Sequence, residues 1–196
     1  MTRTTLYKAH YFAVLGLAGL IAALALVHYQ FSLVSVVVVL VLLILPGRIL
    51  GFYWRNLLRG LRLLNARRYE ESRLHSVLFL EELRQRPYLR HLVWLGSSTY
   101  SHNPEVLALN NLGAAESKLG QLDSARQHLE RAIELDPQCP LPFLNLGIIH
   151  ASNEEFDAAE RCFSEATRLG YANDLSDRIV RASQDRFART GGGGTS

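Results

Sequence analysis

A chain of 196 residues with a formal net charge of +3 is long enough for one modest domain and an appended module. The charge is divided: all 18 acidic residues follow Tyr69, whereas eight of the 21 Lys and Arg precede Glu70. The basic surplus thus sits beside apolar segments, where anionic lipid is the natural partner; the basic balance is therefore no sign of nucleic-acid binding, and no nucleic-acid partner is expected.

Residues 1–52 read as a two-helix transmembrane hairpin, with helices at about 9–29 and 31–52. Tyr11–Val27 and Phe31–Leu45 carry no charged residue. Each run is short of the roughly 20 residues that a bilayer core needs, so flanking residues must extend it, with Arg48 snorkelling and Tyr53 and Trp54 at headgroup level. The apolar core of the first run is too long for a cleaved signal peptide, and a second apolar run follows almost at once. Arg3 and Lys8 precede the first run, six arginines from Arg48 to Arg68 follow the second, and the connection His28–Ser32 has no positive charge. The expectation is a multi-pass membrane protein, with both termini and the remaining domain cytoplasmic.

Residues 53–104 hold a juxtamembrane basic helix and degenerate repeat-like helices. In the basic helix Arg55, Arg59 and Arg62 share one face at i, i+4, i+7, and Leu57, Leu61 and Leu64 share another. The arginines are candidates for contact with anionic lipid headgroups or an acidic partner; the bland alternative is topogenic charge alone. Gly60, Tyr69 and Ser72 fall at repeat-like positions, and "YLRHLVWLGSSTY" reads as a further apolar helix.

Residues 105–173 form two similar units with a period of 34. Leu109 meets Phe143, Leu112 meets Leu146, Gly113 meets Gly147, Ala125 meets Ala159, Leu129 meets Phe163, and Ala132 meets Ala166. These matches fall on two short helices per unit. Gly and Ala let the helices approach, the large residues fill the layer between them, and Gly120 and Asn153 occupy the turns. Asn103-Pro104-Glu105 reads as an N-cap with proline at N1. The Leu-Gly pairs, the helix-B alanines and Pro137 resemble the tetratricopeptide repeat (TPR) family; its helix-A tyrosine is replaced by Glu116 and His150. The fold class expected is all-α: the hairpin, then a short α-solenoid of TPR helix pairs, with a C-terminal capping helix at 174–190 built on Leu175, Ile179, Val180 and Phe187. Residues 191–196, "GGGGTS", read as a linker or tag remnant.

The resemblance implies a concave face lined by helix A that holds peptides or helices. Carried over by position, its protein-binding groove comprises Leu107, Asn110, Asn111, Ala114, Leu141, Leu144, Asn145 and Ile148, with Ser117 and Ala151 beside them. The four large aliphatic residues point to an apolar groove for an amphipathic helix. The alternative is that some of these residues are covered by the chain's own Tyr88–Tyr100 segment or by a homodimer.

Cys139 and Cys162 have no CxxC or Cys/His ligand spacing and read as reduced thiols. The seven histidines form no HxH or HExxH pattern, and no phosphate loop or nucleophile elbow appears. No catalytic residue, metal or cofactor is expected. The function expected is a membrane-anchored TPR scaffold assembling a complex with other membrane proteins; its layout is loosely similar to Pel-type exopolysaccharide synthase TPR subunits, a resemblance that implies the cytoplasmic face of a bacterial inner membrane. A homo-oligomer is open. The alternative is a membrane-tethered co-chaperone or quality-control adaptor that binds apolar client segments.

Overall fold

The computed structural model describes residues 13, 16–17, 19–20, 33–95 and 100–171. Most of the expected first hairpin helix (9–29) and the whole expected capping helix (174–190) lie outside them. Seven longer α-helices follow one another from Leu33: α1 (Leu33–Tyr53), α2 (Arg55–Asn65), α3 (Tyr69–Gln85), α4 (Pro104–Lys118), α5 (Leu122–Leu135), α6 (Pro140–Ser152) and α7 (Phe156–Arg168). A 3-10 segment, Pro87–Leu95, stands where sequence analysis expects an α-helix. Its first residue is a proline without an amide donor, and the preceding Arg86 is held in an extended-type conformation.

From α2 onward each helix packs on the next, and α4 also touches both α2 and α6. The helices therefore stack as pairs, α2–α3, α4–α5 and α6–α7, with α2, α4 and α6 as successive first helices. Short turns enforce the pairing. Arg67, Gly120 and Glu154 each occupy the left-handed region, with φ of 60°, 80° and 61°. In each turn the next amide reaches back to the last helical turn: Arg68 N to Leu63 O, Gln121 N to Glu116 O, and Glu155 N to His150 O. The three pairs share one turn geometry, although only Gly120 has the residue that suits it. The positive φ of the last turn belongs to Glu154, one residue beyond the expected Asn153.

Within each pair a glycine of the first helix meets the second. A methyl at Gly113 would lie 2.7 Å from Leu129 Cγ and 3.0 Å from the Ala125 carbonyl oxygen, and one at Gly147 would lie 2.6 Å from the Phe163 ring. At Gly60 the nearest atom is Ser76 Oγ at 3.1 Å. There the approach is lined by hydroxyls, with Ser72 Oγ donating to the Gly60 carbonyl at 2.8 Å. Asn103 caps α4 as expected, its side chain accepting from the Glu105 amide, with Pro104 in the first turn.

The departures at Glu116 and His150 have a structural role. Glu116, buried on α4, bonds His128 Nδ1 of α5 at 2.7 Å. His150, 34 residues later, bonds Glu155 across the following turn. That bond, with help from Arg126, holds the Glu155 carboxyl below the usual range. An acid–imidazole bridge thus ties helix A to its successor in each unit where the family has a tyrosine.

The placement in a bacterial inner membrane, with both termini cytoplasmic, is overturned. Among the described residues, no helix is long and apolar enough to cross a membrane. The uncharged stretch Phe31–Leu45 falls short of the roughly 20 residues required, and Arg48 interrupts its extension within α1. The last turns of α1 are occupied elsewhere. Leu50 and Tyr53 pack against a core of Trp54, Leu57, Phe79, Leu83, Leu89 and Ala108. Trp54, expected at headgroup level, is 3% exposed. Its Nε1 donates to the Leu89 carbonyl at 3.3 Å, and its ring meets Phe79 edge-on at 6.3 Å. Earlier turns of α1 expose Val37, Leu40, Val41 and Ile44.

Candidate functional site: a mixed groove along the first helices

Of the eight groove residues expected from sequence, the structure brings three together. Ala114, Asn145 and Ile148 line a groove of about 530 Å³ with Leu64, Asn65, Arg67, Tyr69, Ser117 and Lys118. The groove runs from the end of α2 and its turn across α4 to α6. The other five residues are spent on the fold. Asn110, Asn111 and Leu144 are buried. Leu107 packs against the Trp54 core, and Leu141 packs against the cluster of Val106, Leu109, Ala132 and Cys139. Asn110 also has an internal partner, because Asn145 Nδ2 donates to its Oδ1 at 2.8 Å.

The cause is position in the stack. Helix α4 has α2 on one side and α6 on the other, so its middle turns are covered from both flanks. The groove therefore gathers at the C-terminal turns of the first helices and at the α2–α3 turn. The lining is mixed rather than wholly apolar, with Leu64, Tyr69 and Ile148 supplying apolar surface and Asn65, Ser117 and Asn145 supplying polar groups. Arg67 and Lys118 supply two cations, and no carboxylate lines the groove.

Leu64, Asn65, Arg67, Tyr69 and Lys118 also line the groove and were not among the groove residues expected from sequence. The signal was present: superposing Gly60 on Gly113 sets Asn65 at the position of Lys118 and Leu64 at that of Ser117. Arg55, Arg59 and Arg62 do not line the groove. They are exposed on α2. Burial, and after it the positive charge of Arg59, lower the His75 imidazole pKa. Arg62 Nε donates to the Leu58 carbonyl within its own helix.

Among the described residues, no group of three or more His, Cys, Asp or Glu is arranged to hold a metal ion. Both cysteines are free, and burial pushes the Cys139 thiol up to about 12 and raises that of Cys162.

Residues 106–139 match the family model of the tetratricopeptide repeat. The matched stretch contains most of α4, all of α5 and the turn between them. Among solved structures, the chain is similar to the Sgt2 TPR domain from Aspergillus fumigatus, with a TM-score of 0.54 and 15% sequence identity. That likeness covers 74% of this chain and 84% of the other, and at such identity it speaks for the fold alone. No curated protein matches the sequence. The all-α stack of TPR-like helix pairs stands, and TPR domains serve protein–protein interaction.

Proposed function

We propose that this protein is a TPR scaffold that holds a segment of a partner protein in the groove along α2, α4 and α6. The observation that carries the proposal is the groove's lining: apolar Leu64, Tyr69 and Ile148 beside Arg67 and Lys118, with no acid to neutralise them. A segment offering leucine-like side chains and a nearby carboxylate satisfies both halves of that surface. The side-chain amides of Asn65 and Asn145 add donors and acceptors for a peptide backbone. Such a groove binds and positions, and its mechanism needs no chemistry.

A scaffold with one partner and an adaptor with many clients would use the groove differently. The cation pair favours the first, because a fixed charge position selects among apolar segments rather than accepting all of them. The likeness found is to a TPR domain, so exopolysaccharide and envelope machinery form no part of this proposal.

The test is affinity capture with the wild-type chain and with Ile148→Glu and Lys118→Glu variants, both at half-buried or exposed positions. One stoichiometric partner, lost in both variants, supports the scaffold. A heterogeneous set of apolar clients, lost with Ile148→Glu and indifferent to Lys118→Glu, shifts the reading to a client adaptor. Capture unchanged by either substitution contradicts the groove.

A further inference from the structure

We infer that the outer face of α3 is a self-complementary surface that pairs two copies of this chain, antiparallel, about a two-fold axis at Val77. The face is unusual for an exposed helix. Leu74, Val77 and Leu78 lie at i, i+3, i+4 and are 55%, 44% and 43% exposed, so three large aliphatic side chains form a stripe in solvent.

Charges frame the stripe on the same helical face. Glu70 and Arg73 stand at its N-terminal end, and Glu81 and Arg84 at its C-terminal end. They form intrahelical ion pairs, Arg73 Nε to Glu70 at 3.2 Å and Arg84 Nη2 to Glu81 at 3.1 Å. All four side chains are at least 41% exposed and can engage a second partner.

The order of these charges selects the occupant. An antiparallel two-fold through Val77 sets Glu70 opposite Arg84 of the second copy and Arg73 opposite Glu81 of the second copy. By symmetry each contact occurs twice. A parallel pair would set Glu70 against Glu70 and Arg84 against Arg84. The antiparallel register also carries Leu74 of the second copy over Leu80. There a groove of about 430 Å³ opens between α3, the 3-10 segment and α4, with Val77, Leu80 and Leu109 on its walls. Arg90 and Glu105, paired at 2.7 Å, close its far side. The apolar centre and the charged ends thus match themselves under one rotation. A contact built mainly on one 17-residue helix per copy is smaller than most permanent interfaces, so the expected affinity is roughly micromolar.

The peptide groove takes only Tyr69 from α3, so the pairing stands or falls independently of the proposed function. The test is sedimentation equilibrium of the full chain from low to high micromolar concentration, with folding checked by circular dichroism. The wild type is expected to shift from monomer to dimer across this range. Val77→Arg puts two like charges on the axis and should leave a folded monomer. Glu70→Arg and Arg84→Glu should each weaken pairing by about tenfold, and the double variant should recover to within about threefold of wild type. A wild type that stays monomeric overturns the inference, including the case in which Val77→Arg lowers its Tm because residues 172–190 of the same chain cover the face. A dimer that survives Val77→Arg, or single reversals without rescue in the double variant, also overturns it.

Discussion

At the residue scale the fold is set by a few backbone positions where side-chain size or handedness decides the outcome. Glu154 and Gly120 occupy equivalent left-handed turns, yet only one is a glycine. A residue with a Cβ pays about 1–2 kcal/mol in that conformation, so Glu154→Gly should stabilise the chain by roughly 1 kcal/mol in a urea titration. The pairing glycines behave in the opposite way. A methyl at Gly147 runs into the buried ring of Phe163, so Gly147→Ala should destabilise by about 1–3 kcal/mol. Gly60→Ala should cost less than about 1 kcal/mol, because the tightest neighbour is a serine hydroxyl at 3.1 Å and alanine favours the helix. Equal losses at both sites, in the same denaturation series, would show that helix approach does not control pairing.

At the element scale, what was legible in the sequence follows from period and spacing. Gly113 and Gly147, 34 residues apart, marked the two regular pairs because close helix approach demands small residues at fixed intervals. Gly60 and Ser72 marked the degenerate pair in the same way. Spacing is less informative about which neighbour covers a face. Asn110, Asn111 and Leu144 sat on the right helices, but their burial depends on α2 and α6 flanking α4, a property of the stack and not of any one helix. The apolar character of 31–54 misled for a related reason: Leu50, Tyr53 and Trp54 are as apolar against a protein core as they would be against lipid. The structure makes Trp54 the joint between α1 and the repeats. Trp54→Ala should therefore cost about 3–5 kcal/mol in thermal or urea unfolding. A loss below about 1 kcal/mol would mean that α1 is not docked by this side chain.

At the scale of the whole molecule, three helix pairs present their first helices as one layer, and the groove lies across the C-terminal turns of that layer. TPR units lean on their neighbours, so a change in one pair is felt at the groove only through the adjoining helix. The groove draws Leu64, Asn65 and Arg67 from the degenerate pair, Ser117 and Lys118 from the second, and Asn145 and Ile148 from the third. The proposed recognition would thus draw on all three pairs. The central claim is that this surface holds a segment both apolar and acidic. The most direct measurement is fluorescence anisotropy of a labelled peptide combining leucine and glutamate, titrated with the wild-type chain and with Arg67→Glu, Lys118→Glu and Ile148→Glu. Saturable binding by the wild type, weakened by about tenfold or more in each variant with the fold retained, is the expected result. Equal affinity in all four chains, or a preference for a lysine-bearing peptide over the glutamate-bearing one, would contradict it.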